Sequence, residues 1–151
     1  MANQVFVNEG IFGVLDHGEI PVETANFSNG LVAPMAAGAL IMTGINTGYV
    51  NVEASVVDRC PDVDTDGWEE VMEISVNAPS GDLKVESLER GPDTNAQQFL
   101  NPMGSAWYRL RVHTRGREVM RDKVSLEPIE DYLLIVWPAP PTNATVLRSG
   151  V

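Results

Sequence analysis

The chain has 151 residues, which fits a single domain spanning residues 1–151 and suffices for a core without a metal ion or disulfide. Its composition, 44% hydrophobic with a formal net charge of -11, is typical of a globular protein and excludes a disordered one. The first basic residue is Arg59 and no apolar run reaches the length of a membrane span, so we expect a cytoplasmic protein without a membrane segment.

Charge is unevenly distributed along the chain. Residues 1–75 contain twelve Asp or Glu and one Arg, whereas residues 76–151 contain nine acidic and nine basic residues. Six of the ten basic residues fall within residues 109–123. This asymmetry predicts two opposed patches, or a homo-oligomer in which the basic strand of one copy meets the acidic half of another.

Alternation of apolar and polar residues recurs along the chain, whereas helical periodicity is almost absent. The first third of the chain predicts short strands bounded by Gly, Pro, Asn or Asp, at residues 5–8, 11–16, 20–24, 27–32 and 39–43. A short helix at residues 33–37 or 117–123 is an alternative, but no capping residues support it.

Alternation becomes clearer in the middle of the chain. Residues 49–58 and 68–76 each place apolar side chains on one face and polar or acidic side chains on the other. The turn sequence PSGD at residues 79–82 then leads into a further alternating stretch at residues 83–86. Together these segments predict a hairpin between residues 68–76 and 83–86.

The last third of the chain predicts two further strands. A polar loop at residues 91–105 leads into an alternating strand at residues 107–114. Residues 132–137 are apolar on both faces and end at Pro138, which predicts a central strand covered on both sides. About nine or ten strands at this spacing indicate an all-β fold, an antiparallel β-sandwich with little helix.

The run WYRLRVHTRGRE at residues 107–118 is basic within an acidic chain. Alternation directs its apolar residues toward the core and places Arg109, Arg111 and His113 on the solvated face. Acidic residues on neighbouring strands are then available as cross-strand partners: Glu53, Glu69, Glu73 or Glu86. Each such pair contributes roughly 0.2–1 kcal/mol.

Two functional alternatives exist for this basic run. Nucleic-acid binding needs several exposed cations and stacking aromatics, but the acidic remainder of the surface would repel a polyanion, so we expect no nucleic-acid partner. Alternatively, the turn carrying Arg115 and Arg117 engages a protein or a small anion.

The acidic stretch DVDTDGWEEVME, residues 62–73, matches the calcium-loop pattern D-x-[DN]-x-[DN]-G-x5-E at every fixed position. Its candidate ligands are Asp62, Asp64, Asp66 and Glu73, whose carboxylate oxygens suit a hard cation. Pro61 before the stretch and the alternating strand after it do not suit the helices of an EF-hand. The alternative is an exposed acidic turn in which Asp66 bonds its own backbone.

No catalytic motif appears in the sequence. Cys60 is the single cysteine, and it is distant in sequence from His17 and His113, the two possible bases. The sequence lacks a nucleophile elbow, a phosphate loop, a His-rich metal pattern and a dinucleotide fingerprint. We therefore expect a buried structural thiol, no enzyme activity, and no cofactor apart from the calcium alternative.

Four stretches carry a resemblance to known proteins: WEEVMEISV, PSGDL, WYRLRVHTRGRE and DYLLIVWPAP. Over roughly residues 38–140 the chain resembles a family of small, largely uncharacterised bacterial β-sandwich proteins. The order of its strands is also similar to that of the competence protein J type of nuclease inhibitor. This second resemblance implies an acidic sandwich that blocks a nuclease by covering its basic cleft, and it carries over no inhibitory residues.

These observations predict a non-enzymatic protein-binding module, an inhibitor or immunity protein for a basic partner such as a nuclease toxin. The alternatives are a calcium-dependent ligand-binding module and an oligomeric structural subunit. Trp68 is either an aromatic anchor at the margin of the binding face or a core residue. The predicted partner-binding residues are Asp58, Asp62, Asp64, Asp66, Glu69, Glu70, Glu73, Arg115 and Arg117.

Overall fold

Strands make up most of the regular structure. A computed structural model describes residues 3–92, 100–101 and 103–149. Its strands are β1 (Asn3–Val7), β2 (Ile11–Asp16), β3 (Val32–Pro34), β4 (Ala39–Met42), β5 (Thr47–Val56), β6 (Glu70–Ala78), β7 (Leu83–Ser87), β8 (Gly91–Pro92), β9 (Ala106–Arg115), β10 (Val124–Ser125), β11 (Asp131–Pro138) and β12 (Thr145–Arg148). One short 3-10 helix, η1 (Val22–Thr24), lies between β2 and β3. The prediction of an all-β fold with little helix is confirmed for these residues.

The strands belong to two sheets. The larger sheet has the order β1-β5-β11-β9-β6-β12, with β10 also paired to β5, and the smaller has the order β3-β4-β2-β7-β8. Most neighbours are antiparallel, but β5 pairs in parallel with both β10 and β11. The sheets are therefore mainly antiparallel, with parallel pairing at these two places. The long stretch of chain between β5 and β11 provides the crossover that parallel neighbours require.

One hydrophobic core takes side chains from both sheets. Val52 and Leu134 of the larger sheet belong to the same buried cluster as Phe12 and Ile41 of the smaller sheet. The rings of Phe12 and Tyr132 meet edge to face with their centroids 5.3 Å apart, a favourable geometry for aromatic pairs. The two-residue period of the sequence thus identifies side chains that belong to this shared core.

A buried carboxylate fixes the turn that follows β4. Glu130 is fully buried and accepts hydrogen bonds from the backbone N–H groups of Gly44 (2.9 Å) and Ile45 (2.6 Å) and from the Tyr132 hydroxyl (2.6 Å). Burial, reinforced by the Glu130 charge, raises the pKa of Tyr132 well above its usual range, so that its hydroxyl remains a donor. Glu130 therefore ties this turn to the start of β11.

The predicted hairpin is wrong. β6 lies in the larger sheet and β7 in the smaller, so residues 79–82 carry the chain from one sheet to the other. Asp16, at the end of β2, accepts hydrogen bonds from the backbone N–H groups of Ser80 (2.7 Å) and Asp82 (2.9 Å). These hydrogen bonds join residues that are distant in sequence, and they place residues 79–82 beside the end of β2. A local turn pattern does not predict such contacts.

Other local predictions also differ from the structure. Residues 20–24 contain η1 in place of a strand, and the strand expected at residues 27–32 begins only at Val32. Neither alternative helix forms, because residues 33–37 contribute to β3 and residues 117–123 form turns. In contrast, β11 lies between β5 and β9, as expected for a central strand.

Part of the predicted polar loop at residues 91–105 lies outside the described residues, which omit residues 93–99 and 102. In the part of the chain that the structure describes, no helix has both the length and the apolar character needed to cross a membrane.

Candidate functional site

Three basic residues of β9 lie on the outer face of the larger sheet, opposite the core, yet they are buried. Arg109, Arg111 and His113 are 4%, 1% and 2% exposed. The prediction of a solvated row is therefore wrong. The alternation along the strand is as expected, but connecting segments of the chain cover this part of the outer face.

Glu73 on β6 pairs with both buried arginines. Its Oε1 accepts a hydrogen bond from Arg109 Nε at 3.1 Å, and its Oε2 accepts one from Arg111 Nε at 2.7 Å. The expectation that Glu73 is a cross-strand partner is confirmed. Two guanidinium groups share one carboxylate, so their other N–H groups need acceptors elsewhere.

For Arg111 those acceptors come from residues 57–69, the connection between β5 and β6, which we term the acidic segment. Arg111 donates to the carbonyl oxygens of Pro61 and Asp62, each at 3.2 Å. Its guanidinium also lies 5.0 Å from the centroid of the Trp137 ring on β11. Arg111 thus anchors the backbone of the acidic segment to the outer face of the sheet.

Arg109 holds a second covering segment, residues 139–144, which connects β11 to β12. It donates to the carbonyl oxygens of Thr142 at 3.3 Å and Asn143 at 2.8 Å. Ser75 on β6 supports the same contact, since its hydroxyl accepts from the Thr142 N–H at 2.9 Å. The two arginines therefore serve as internal ties for two connecting segments.

The carboxyl end of the acidic segment packs on the same face through Trp68. The Arg115 guanidinium lies 4.5 Å from the centroid of the Trp68 indole ring, a cation–π contact, and the His113 ring lies 5.6 Å away. Arg115 also donates to Asp131 Oδ2 at 2.8 Å and to the Gly67 carbonyl at 3.2 Å. Trp68 is partly buried, so it is neither a fully buried core residue nor a fully exposed anchor, the two alternatives that the sequence left open.

His113 is an internal hydrogen-bond donor. Burial lowers the pKa of its imidazole below the usual value of 6.5, and the nearby Arg111 charge lowers it further, against the hydrogen bond to the Leu133 carbonyl, which raises it. The ring Nδ1 lies 3.0 Å from that carbonyl oxygen, so Nδ1 carries the proton and donates. His113 is therefore neutral at physiological pH.

The structure separates the predicted partner-binding residues into two groups. Five are exposed on the acidic segment: Asp58, Asp62, Asp64, Asp66 and Glu69. Of these five, Glu69 also accepts a hydrogen bond from the Gly116 N–H at 2.6 Å. The others form ion pairs within the protein: Glu73 with its two arginines, Arg115 with Asp131, although Arg115 stays exposed, and Arg117 with Glu70. Arg117 is 6% exposed and Glu73 is 9% exposed, so little of either side chain is accessible to a partner.

The four candidate calcium ligands are not brought together. Across the described residues, no group of three or more His, Cys, Asp or Glu side chains is placed to hold a metal ion. Both carboxylate oxygens of Glu73 already accept from arginines. The Asp64 carboxylate accepts from the Asp66 N–H at 3.0 Å, so the turn bond comes from Asp64 and not from Asp66.

Cys60 is exposed, so the expectation of a buried thiol is wrong. Its Sγ lies 3.7 Å from Arg111 Nη2, beside the carbonyl oxygens that hold the acidic segment in place. The segment passes over the outer face of the sheet and leaves this side chain on the solvent side.

No family model matches the sequence, and no curated protein matches it. Among solved structures, the chain is similar to one described as Crocagin biosynthetic gene J, with 15% sequence identity and a TM-score of 0.55. The match covers 92% of this chain and 96% of that chain. At this level of identity the similarity shows a shared fold alone.

Proposed function

We propose that this chain is a non-enzymatic protein-binding β-sandwich whose acidic segment docks onto a basic partner protein. One observation carries the proposal: Asp62, Asp64 and Asp66 are exposed on a segment whose backbone is tied down by the buried Arg111. A fixed array of like charges on a rigid base presents the same surface to every partner molecule. Binding to such an array costs little conformational entropy.

The distribution of cations supports the same proposal. Glu73 balances one of the two charges of Arg109 and Arg111, and backbone carbonyls accept their other N–H groups, so neither guanidinium is exposed among the carboxylates of the acidic segment. The molecule as a whole has a formal charge of -11. A surface of this kind attracts a basic protein over about one Debye length and accelerates association at low salt.

The architecture and cellular setting that we propose follow from the same residues. The shared core of the two sheets supports a face-to-face sandwich that forms one domain over residues 1–151. A single cysteine permits no disulfide within the chain, which supports the cytoplasm as its compartment. The partner class that we favour is a nuclease toxin, because such enzymes bind polyanions through basic clefts that acidic proteins can cover.

A matched pair of charge variants tests the proposal. The first variant carries Asp62→Asn, Asp64→Asn and Asp66→Asn, and the control carries Glu9→Gln, Glu19→Gln and Glu23→Gln at exposed positions elsewhere on the chain. Each variant loses three negative charges, so the two differ only in where the charges are removed. Calorimetry with a panel of purified basic nuclease domains measures affinity, and cleavage of a fluorogenic oligonucleotide measures inhibition.

We expect at least one nuclease domain to bind, with an affinity that falls as salt increases. The Asp→Asn variant should bind roughly tenfold more weakly than wild type, because it loses three charges that face the partner, while the Glu→Gln control stays close to wild type. Equal losses in the two variants, or binding that does not respond to salt, would contradict a specific role for the acidic segment. Failure of every basic domain to bind would contradict the proposed function itself.

A further inference from the structure

Three large apolar side chains are exposed on the connection between β9 and β11. Val119, Val124 and Leu126 are 66%, 61% and 70% exposed. A turn closed by a hydrogen bond from the Lys123 N–H to the Met120 carbonyl, at 3.0 Å, separates the two valines, which therefore stand at its two ends. Apolar side chains grouped on a protein surface indicate an interaction site, whereas scattered single ones do not.

The short strand β10 sets the direction of two of these side chains. Val124 and Ser125 pair with β5, and residues 124–126 are exposed, buried and exposed in turn. Ser125 faces inward, and its hydroxyl donates to the Glu127 carbonyl at 2.7 Å. Val124 and Leu126 therefore project into solvent on the same side of the chain.

The charge around this cluster does not suit the basic partner. Residues 117–127 contain three basic and three acidic residues, so they carry no net charge, whereas the whole chain carries -11. A basic protein gains little attraction from such a surface. Two copies of an acidic chain, in contrast, repel each other less through a neutral surface than through an acidic one.

The order of residues 123–127, KVSLE, is self-complementary: basic, apolar, polar, apolar, acidic. When two copies run antiparallel about a two-fold axis at Ser125, Val124 of each copy faces Leu126 of the other. The same arrangement places Lys123 of each copy opposite Glu127 of the other. Both side chains are exposed, and neither forms a salt bridge with another residue in the part of the chain that the structure describes.

We propose that residues 119–127 form the interface of a two-fold dimer of this chain. Val124 and Leu126 pack against their counterparts in the second copy, and the two Lys123–Glu127 pairs fix the register. Three apolar side chains from each copy fall short of the roughly 800 Å² per partner that a standard interface buries, so the dimer is weak, with a dissociation constant of roughly 10–100 µM. The dimer does not depend on the proposed function, since residues 57–69 take no part in it.

Sedimentation equilibrium of the full chain, from about 5 to 500 µM at about 150 mM salt, measures the dissociation constant. Val124→Ser and Leu126→Ser should each weaken the dimer about tenfold or more, because each removes apolar surface from both copies. Val146→Ser is the matched control, since Val146 on β12 is 56% exposed and lies outside the interface. It should dimerise like wild type.

Charge variants test the register. Lys123→Glu sets two glutamates against each other, and Glu127→Lys sets two lysines against each other, so each should weaken the dimer about two- to tenfold. Glu127→Lys also reduces the net negative charge, so general repulsion between the copies cannot explain its weakening. The double variant Lys123→Glu, Glu127→Lys should recover the wild-type dissociation constant, because opposite charges face each other again.

Three outcomes would overturn the inference: a chain that stays monomeric over the whole concentration range, equal weakening in Val124→Ser and Val146→Ser, or a double charge variant that dimerises no better than the single ones. Circular dichroism of each variant checks that the fold is retained.

Discussion

Replacing Glu73 by alanine removes the one carboxylate that two buried arginines share. The side chains of Arg109 and Arg111 are 5% and 1% exposed, and their Nε atoms donate to Glu73 at 3.1 and 2.7 Å. Removing one partner of a buried ion pair costs about 3–5 kcal/mol, since it leaves an uncompensated charge out of water. The free energy of unfolding should therefore fall by about 3–5 kcal/mol, and the melting temperature by roughly 6–20 °C for a chain of this length.

Urea unfolding followed by tryptophan fluorescence and circular dichroism measures this change, and thermal scans check it. Glu118→Ala is the control, because the Glu118 side chain is 80% exposed and pairs with Arg121 at the surface. It should have no measurable effect. If Glu73→Ala unfolded at the same urea concentration as Glu118→Ala, the ion pairs of Glu73 with Arg109 and Arg111 would not be stabilising the fold, which would contradict this prediction.

Two further predictions concern a buried histidine and a crowded glycine. The pKa of His113 is lowered in the folded protein, so as the pH falls below about 6.5 the unfolded chain binds this proton before the folded one does. The free energy of unfolding should therefore be highest above that pH and should fall as the pH falls below it. This fall, measured by urea unfolding at several pH values, should be less steep in His113→Gln. A Cβ at Gly44 would lie 1.8 Å from the Arg117 carbonyl oxygen, so Gly44→Ala should destabilise the protein by more than about 2 kcal/mol in urea unfolding. Gly30→Asn, where a Cβ meets nothing within 4 Å and asparagine tolerates the positive φ, should cost much less.

The sequence is informative wherever two-residue alternation decides which side chains face the core. The strand expected at residues 107–114 corresponds to β9, and its Tyr108, Leu110 and Val112 are buried in the core. The partnership of Glu73 with this strand also follows from alternation, because acidic and basic residues stand on matching faces of β6 and β9. Short segments with weak patterns, such as residues 20–24, were predicted poorly because tertiary contacts decide them.

The covering of the outer face could not be predicted from local pattern, since it depends on where connecting segments pass in space. One signal for it is present in the sequence. Leu133, Ile135 and Trp137 alternate with core residues on β11, so the strand is apolar on its outer face as well. An apolar outer face on a central strand implies that another segment of the chain packs over it. A segment that packs over β11 also reaches its neighbour β9. In contrast, nothing in the sequence indicates that Asp131 pairs with Arg115. That ion pair follows from the register of β11 and β9, which places the two residues opposite each other.

The covered arginines change which partners the protein can engage. Binding to nucleic acid gains free energy when accessible cations displace counterions from phosphates. Arg109 and Arg111 are already held by Glu73 and by carbonyl oxygens, so they are not accessible to phosphates unless the covering segments detach. The acidic segment above β9 carries exposed aspartates together with the exposed Arg59. In the folded chain, Arg109 and Arg111 therefore bind the protein's own carboxylate and carbonyl groups.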